Sequence, residues 1–362
     1  MAGPLQGLTI VEMAGLGPAP FAGMMLADHG AEVIRIEREG LIAVPKDPLL
    51  RSRRSIGLDL KTDGARTIAR QLAARADGLI EGYRSGVMER LGLGPDELLG
   101  ANPGLVYGRV TGWGQEGPLA AAAGHDVDYL AISGLLHGIG PKERPVVPVN
   151  YIADFAGGGM MLGFAMVSAL LNVQRGGSGQ VVDCAMSDGA ALIGALTYGM
   201  RAAGMWTDER ESNLLDGGAA TYGVYACSDG RFLALGAIEP RFREALLEGL
   251  GLSPDAGKDE VAGAVATRTR DDWVGHFDGT DACVAPVLTL EEAPEHPHNR
   301  ARGTFVDLDG VVQPGPAPRY SATRTVDPAP PRTPGADGGA ILADLGYSPE
   351  EISQLRREGA LL

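Results

Sequence analysis

The stretch LTIVEMAGLGPAPFAGMMLADHGAEVIRIE, residues 8–37, decides the fold. It begins with an apolar run at 8–13, continues with a helical pattern at 20–30 and ends with a second apolar run at 32–37. Short runs rich in Val, Ile and Leu that alternate with helical patterns are typical of βαβ units. Further strands are predicted at 77–83, 105–112 and 179–186. The sequence therefore predicts an α/β fold with a mostly parallel sheet.

A smaller module follows the parallel series. From Thr221 to Leu235 the sequence TYGVYACSDGRFLAL has two β runs on either side of the turn SDG, which predicts an antiparallel hairpin. We therefore expect a small α+β domain at 220–310. The large domain is expected at 1–190 and 330–362, with a linker at 191–219.

The last part of the chain combines a proline-rich stretch with a helix. Seven prolines lie between Pro314 and Pro334, so 311–336 is predicted to be an extended linker that returns to the large domain. Ser348, Pro349 and Glu351 form the pattern of a capping box with proline at the first helical position. A terminal helix is therefore expected after Ser348.

Charge and cysteine content exclude several classes of protein. The 362 residues carry a formal net charge of -15, which disfavours a nucleic-acid or anionic-membrane partner. The three cysteines show no CxxC pair and no metal-ligand spacing, so neither a disulfide framework nor a zinc site is predicted. With no pattern of a signal peptide at the start, we expect a cytoplasmic protein.

The apolar stretch GGGMMLGFAMVSALLNV at 157–173 could be mistaken for a membrane span. It has only 17 residues, begins with glycines and is followed by polar residues, which is short for a membrane span. We predict a buried core helix here.

The turn after the first strand imitates a dinucleotide-binding fingerprint. GLGPAP at 15–20 follows the strand, and Glu37 closes the second strand about twenty residues later. Pro20 replaces the third glycine, and Pro18 removes an N–H group that a pyrophosphate would use. NAD binding is therefore not expected.

Residues 35–61 are locally basic within this acidic chain. Arginine forks suit phosphates, so a nucleotide with several phosphates is one interpretation of this cluster. The alternative is a solvated loop whose cations balance neighbouring acids. The cluster contains Arg35, Arg38, Lys46, Arg51, Arg53, Arg54 and Lys61 against Glu37, Glu39, Asp47 and Asp59.

Three titratable residues stand at predicted helix starts. His125 precedes Asp126 and Asp128 in GHDVDYL, Asp154 precedes the glycine run of NYIADFAGGGM, and Glu239 precedes Pro240 in LGAIEPRF. An ionised carboxylate beside an apolar helix is a candidate base or nucleophile, and the glycines would let another molecule approach the backbone. Ordinary capping explains each position equally well.

Several motifs along the chain together resemble one known superfamily. They are LQGLTIVEMAGLGPAPFAGMMLADHGAEVIRIER, EGYRSGVMERLGLGPDEL, VTGWGQEGP, GHDVDY, ADFAGGGM, GQVVDCAMSDG, GAIEPRF and LGYSPEEI. The combination resembles the family III CoA-transferase superfamily and, within it, the 2-methylacyl-CoA racemases, which carry a histidine in the GHDVDY motif where the transferases generally do not. The resemblance implies a large domain with a Rossmann-like sheet, a small α+β domain and an interlocked homodimer with its active site at the subunit interface.

The resemblance also implies roles for particular residues. His125 and Asp154 would be the acid/base pair on opposite faces of the α-carbon, and Glu239 would orient or charge-balance His125. Asn150 and Tyr222 would line the pocket. The residues implied to contact acyl-CoA are Arg38, Leu58, Asp59, Leu60, Lys61, Gly82, Tyr83, Arg84, Arg90, Gly124, Asp126, Val127, Asp128 and Tyr129. Ala153 and Ala156 replace glycines that many racemases carry, so the pocket floor is expected to be narrower.

The implied reaction interconverts the R and S forms of 2-methylacyl-CoA thioesters through an enolate, without a metal or redox cofactor. One alternative is transfer of CoA between acids through an acyl anhydride on Asp154. A CoA-binding protein without chemistry is a further alternative. The natural acyl chain and the role of residues 40–49 stay open at this stage.

Overall fold

The computed structural model describes residues 3–38, 40 and 44–362. Glu39 of the basic cluster and residues 41–43 lie outside them. The described chain divides into two compact units, which we call the first and the second unit. The first comprises Met1–Ser133, Val149–Ile193 and Arg300–Leu362, and the second comprises Gly134–Pro148 and Gly194–Asn299.

The first unit is built on a parallel sheet with the strand order β3-β2-β1-β4-β5-β6. This order reverses direction between β1 and β4, and in open α/β sheets ligands bind at the carboxyl ends of the strands beside such a switch point. The parallel sheet predicted from the sequence is confirmed. The strands are β1 (Thr9–Met13), β2 (Glu32–Glu37), β3 (Arg53–Gly57), β4 (Gly78–Glu81), β5 (Val106–Thr111) and β6 (Gln180–Ala185).

Helices cover both faces of this sheet. Ile68 and Leu72 of α2 belong to the main apolar core together with strand residues such as Val11 and Ile36. On α6, Met166 lies so close to Gly78 and Gly108 that a Cβ atom at either position would force a side chain to shift. The helices of this unit are α1 (Pro18–Asp28), α2 (Asp63–Arg75), α3 (Val87–Arg90), α4 (Pro95–Ala101), α5 (Asp126–Ile132), a π-helix (Tyr151–Met160), α6 (Met161–Gln174) and α7 (Met186–Ile193).

Strand β3 was not predicted, and it changes the interpretation of the basic cluster. The guanidinium of Arg53 is buried and donates to Glu12 Oε2 at 3.0 Å and to the Pro20 carbonyl at 2.5 Å. Arg35 is also buried and pairs with Glu12 and with Glu37. Arg51 pairs with Asp28 at 2.5 Å, likewise inside. These three arginines are structural and are not available to a nucleotide.

The predicted core helix is only half covered in the chain by itself. Leu162 and Met166 face the sheet, whereas Phe164 is 71 % exposed and Val167 and Leu171 are exposed on the opposite side. The continuous helical stretch Tyr151–Gln174 is long and apolar enough to cross a membrane by length and composition, a test that core helices of other proteins also pass. One face therefore packs on the sheet and the other is an open apolar surface.

The second unit contains the predicted hairpin, and the antiparallel pairing is confirmed. Its sheet has the order β7-β8-β9, and Leu233, Leu246 and Trp273 lie in its core. Its strands are β7 (Tyr222–Ala226), β8 (Phe232–Gly236) and β9 (Val284–Pro286), and its helices are α8 (Ala195–Ala202), α9 (Pro240–Leu250), α10 (Lys258–Val265) and α11 (Arg270–Phe277).

The remaining elements show where the compact units differ from the expected boundaries. The hairpin of β10 and β11 lies with the first unit, because Arg51 donates to the Pro314 carbonyl at 2.6 Å. The proline-rich stretch stays on the same unit, since Val326 donates to the Asp28 carbonyl. Ser348 and Glu351 form the predicted capping box. These elements are α12 (Pro297–Arg302), β10 (Phe305–Leu308), β11 (Val311–Pro314), α13 (Gly338–Leu345) and α14 (Pro349–Arg357).

The expected linker at 191–219 is not a separate segment: residues 191–193 end α7 in the first unit, and residues 194–219 are folded into the second unit. Asn213 is buried, and its side chain bonds to Thr207 and Glu209 carbonyls and to Asp216. Arg210 donates to three carbonyls of the segment 137–142. These bonds join 134–148 and 194–219, so the second unit is larger than the expected 220–310.

Candidate active site

His125 is the residue that begins α5. Its backbone is extended, its N–H donates to Asp128 Oδ2 at 2.9 Å, and its carbonyl accepts from the amides of Asp128 and Tyr129. The carboxylate of Asp128 is thereby used in capping. The side chain of His125 is exposed, which leaves the imidazole free to meet a ligand.

Two aromatic rings fix the backbone just before His125. Trp113 and Tyr129 pack edge to face with centroids 4.8 Å apart, and the Tyr129 hydroxyl donates to the Gly124 carbonyl. A Cβ atom at position 124 would lie 2.7 Å from the Tyr129 ring and 3.0 Å from the Trp113 ring. Only glycine fits between the rings. Burial, and next to it the charge of Asp154, raises the pKa of Tyr129 to about 12, so this hydroxyl keeps its proton at neutral pH.

Asp154 lies inside the first turns of the π-helix, not before a helix as the sequence suggested. Its carboxylate is half-buried and accepts from Asn150 Nδ2 at 3.0 Å, and its own amide donates to Asp126 Oδ1 at 2.7 Å. Burial raises the pKa of Asp154, opposed by the Asn150 bond and by His125, while Asp126 raises it further. Asp154 therefore holds a proton more readily than an exposed aspartate does.

The glycine run after Asp154 serves packing within the protein. A Cβ atom at Gly157 would lie 2.7 Å from the Ala190 amide, and one at Gly159 would lie 2.8 Å from the Phe21 ring. These glycines are buried, so the expectation that they admit another molecule is wrong. Ala153, one of the two departures from the racemase pattern, is fully buried as well. The close approach to α1 and α7 places Asp154 beside the β1–α1 turn, with Gly17 close to its carboxylate.

The residues expected to bind CoA follow the carboxyl ends of neighbouring strands. Arg38 follows β2, Leu58–Lys61 follow β3, and Gly82–Arg84 follow β4. Arg38 lies over the Tyr83 ring at 5.9 Å from its centroid. Because the carboxyl ends of parallel strands lie along one edge of the sheet, these segments share that edge. The switch point between β1 and β4 opens at the same edge.

The basic cluster separates into paired and free cations. Lys46 pairs with Asp309 and Arg54 with Glu32 and Asp344 at the surface. Among the described residues, Arg38 and Lys61 have no carboxylate partner and are exposed, as are Arg84 and Arg90. Among the described residues that were expected to contact acyl-CoA, these four cations remain available to an anion.

Glu81 is a functional candidate that sequence reasoning missed. It is fully buried at the end of β4 and accepts from the Tyr83 amide at 2.6 Å and from Arg109 Nε at 2.7 Å. It therefore holds the turn Gly82–Arg84 in place. A carboxylate inside an apolar strand, as in DGLIEGY, is the signal that could have identified it.

The structure brings His125, Asp126, Tyr129, Asn150 and Asp154 together in the first unit. Two other predicted residues belong to the second unit: Glu239 is the exposed residue before α9, and Tyr222 is half-buried at the start of β7. The first unit therefore contains a histidine and an aspartate close enough for the charge of His125 to influence the pKa of Asp154. The unpaired cations lie along the carboxyl edge of the same sheet.

Comparisons with known proteins identify the family of this chain. The model of CoA-transferase family III matches residues 5–338. Alpha-methylacyl-CoA racemase from Mus musculus is 45% identical over 370 residues, covering 98% of this chain and 96% of that protein, and the Homo sapiens racemase is 43% identical with the same coverage. A crystal structure of a CAIB/BAIF family protein from Brucella suis has a TM-score of 0.81 and 26% identity over 95% of this chain and 100% of that one. This chain is a member of CoA-transferase family III.

Proposed function

We propose that this chain is an acyl-CoA racemase that interconverts the R and S forms of 2-methylacyl-CoA thioesters, with His125 and Asp154 as the acid/base pair. The observation that carries the proposal is the placement of Asp154, half-buried with a raised pKa and under the electrostatic influence of His125. Near-full-length identity of 43–45% to proteins named alpha-methylacyl-CoA racemase supports it.

The chemistry requires one group that can take up a proton and a second group that already carries one. One residue removes the α-proton, a planar enolate forms, and the other residue returns a proton from the opposite face. Asp154 suits the first role when ionised and the second when protonated, since its raised pKa brings the two forms closer in free energy. The exposed His125 imidazole takes the complementary role.

The enolate oxygen needs hydrogen-bond donors. The amides of Asp126 and Val127, the first two of α5, donate to no acceptor among the described residues. A well-placed donor to a developing oxyanion contributes about 3 kcal/mol. We assign these amides to the thioester oxygen, which places the reacting carbon near His125.

The CoA moiety is assigned to the strand-end edge with the free cations. Replacing Arg38 by alanine removes one charged contact and is expected to raise the KM for acyl-CoA about tenfold, with a smaller effect on kcat. Arg90→Ala should act in the same direction. Lys46→Ala is the matched control, because Lys46 is already paired with Asp309, and an equal rise in KM for this variant would contradict the assignment.

We further propose a homodimer whose active site also takes Glu239 and Tyr222 from the partner chain. The exposed apolar face of α6, with Phe164, Val167 and Leu171, supports a dimer, because such surfaces on soluble proteins are usually covered by a partner.

One experiment tests the reaction itself. A single enantiomer of a 2-methylacyl-CoA incubated with the protein in deuterium oxide should gain deuterium at the α-carbon while it loses optical purity. Exchange of CoA with a second acid, together with a hydroxylamine-sensitive acyl group on Asp154, would instead establish the transferase reaction. Binding without either reaction would refute both.

A further inference from the structure

The side-chain carboxylate of Asp126 has no role in the acid/base chemistry proposed above, which uses only the backbone amide of this residue. The residue is 5% exposed. One oxygen, Oδ1, accepts from the Asp154 amide at 2.7 Å, whereas the other, Oδ2, is buried and has no hydrogen-bond partner among the described residues. Leaving a buried carboxylate oxygen unbonded destabilises a fold, so its presence in the site calls for a functional reason.

We propose that Asp126 is a positioning residue for Asp154: its Oδ1 fixes the helical turn that carries Asp154, and its negative charge disfavours a second negative charge beside it. The proposal rests on the proposed racemase function and adds the group that sets the behaviour of one of its two acid/base residues.

The first part of the argument is geometric. The first N–H groups of a helix have no acceptor within the helix, and Asp126 supplies one for the amide of Asp154. Asp126 is also the covalent neighbour of His125, whose backbone is fixed by Asp128 and by the ring pair at Gly124. A single side chain thus ties the backbone of one acid/base residue to the backbone of the other.

The second part of the argument is electrostatic. A carboxylate close to another carboxylate raises the proton affinity of its neighbour. Asp126 raises the pKa of Asp154 in addition to the larger effect of burial, and Asn150 and His125 act against it.

Other charged groups on the elements packed against the π-helix are already engaged. Each of them has a hydrogen-bond partner of its own: Asp28, Arg109, Asp128, Asp183 and Asp188. Removal of the charge at Asp126 is therefore the substitution expected to change the titration of Asp154 with the least change in packing.

Two variants separate the two parts of the proposal. Asp126→Asn keeps an oxygen for the Asp154 amide but removes the negative charge. In the reaction direction in which Asp154 removes the α-proton, kcat/KM falls at low pH as Asp154 becomes protonated. That fall should occur at lower pH in Asp126→Asn than in the native protein. Asp126→Ala also removes the anchor, so kcat should fall about 100-fold and amide hydrogen exchange at 151–156 should become faster. Asp188→Asn is the matched control: it removes an exposed charge from α7, and the profile and the exchange should stay unchanged.

A readout that does not need turnover distinguishes failure of this proposal from failure of the racemase function. In protein labelled with ¹³C-aspartate, the Asp154 carboxyl resonance, identified by its loss in Asp154→Asn, should titrate at lower pH in Asp126→Asn than in the native chain. If the titration and the hydrogen exchange are the same in both Asp126 variants and the native protein, Asp126 is not a positioning residue, whatever reaction is catalysed. If the Asp154 carboxyl titrates at lower pH in Asp126→Asn but the native protein shows no α-proton exchange, the role of Asp126 is supported and the racemase function is refuted.

Discussion

Asp154 is one of the two proposed acid/base residues, and the burial of its ionised carboxylate lowers the stability of the folded protein. Its pKa is raised in the folded protein, mainly by burial, so the ionised form is destabilised relative to the unfolded chain at neutral pH. Below its unfolded pKa the carboxyl is protonated in both states and this penalty disappears; it is fully present above the folded pKa.

Asp154→Asn is therefore expected to lower racemisation at least about 100-fold while raising the midpoint of thermal unfolding at pH 7. The gain in stability should vanish at acidic pH. Calorimetry at several pH values and α-proton exchange measure the two effects. A variant that is both inactive and less stable at pH 7 would contradict the burial argument.

Gly124 is the second residue whose surroundings make a sharp prediction. Gly124→Ala would force a methyl group against the rings of Tyr129 and Trp113, displacing the backbone that precedes His125. We expect a loss in kcat of about 100-fold, as for a misplaced catalytic group, and destabilisation by about 1–3 kcal/mol. Gly100→Ala is the control, since a Cβ atom at position 100 meets nothing within 4 Å. It should leave kcat unchanged and should not destabilise the protein, because alanine is favoured over glycine within a helix.

At the level of the element, β3 depends on buried ion pairs. Arg53→Met would leave Glu12 with Arg35 alone and remove the bond to the Pro20 carbonyl at the β1–α1 turn. Breaking a buried pair costs about 3–5 kcal/mol, whereas a surface pair contributes about 1 kcal/mol or less. Urea unfolding of Arg53→Met should show the larger loss, and that of Arg54→Met, whose partners are at the surface, the smaller. Equal losses would refute the structural role of Arg53.

The same strand shows what the sequence could not predict. Strands β1 and β2 were found because TIVEM and EVIRIE are rich in Val and Ile, with only single charged residues between the apolar ones. RRSIG of β3 has the composition of a charged loop. It forms a buried strand because Arg53 faces inward and pairs with Glu12, which is distant in sequence and therefore not visible from the local pattern. His125 and Asp154 could be named as candidates from their motifs. Their surroundings could not, since the bond from Asp154 to Asp126 joins residues 28 positions apart.

For the whole molecule, the proposed dimer predicts complementation between inactive variants. If His125 of one chain works with Glu239 of the other, a dimer of one His125→Ala chain and one Glu239→Ala chain has one intact site and one site that lacks both residues. Random pairing of equal amounts makes about half of the dimers mixed. Activity should therefore return to about a quarter of the native level. Each variant mixed with itself is the control. No recovery from subunits shown to have exchanged would contradict a shared site.

The sequestered arginines affect how the protein attracts an anionic thioester. Arg35, Arg51 and Arg53 are neutralised inside the protein by three buried carboxylates, so they add no attraction for an anion, and the formal net charge stays at -15. An approaching ligand therefore meets a generally repulsive field and a small attractive region at the strand-end edge. Added salt screens both. Ionic strength should consequently change the capture of substrate less than the number of arginines near the site suggests, because the loss of attraction is partly offset by relief of the long-range repulsion.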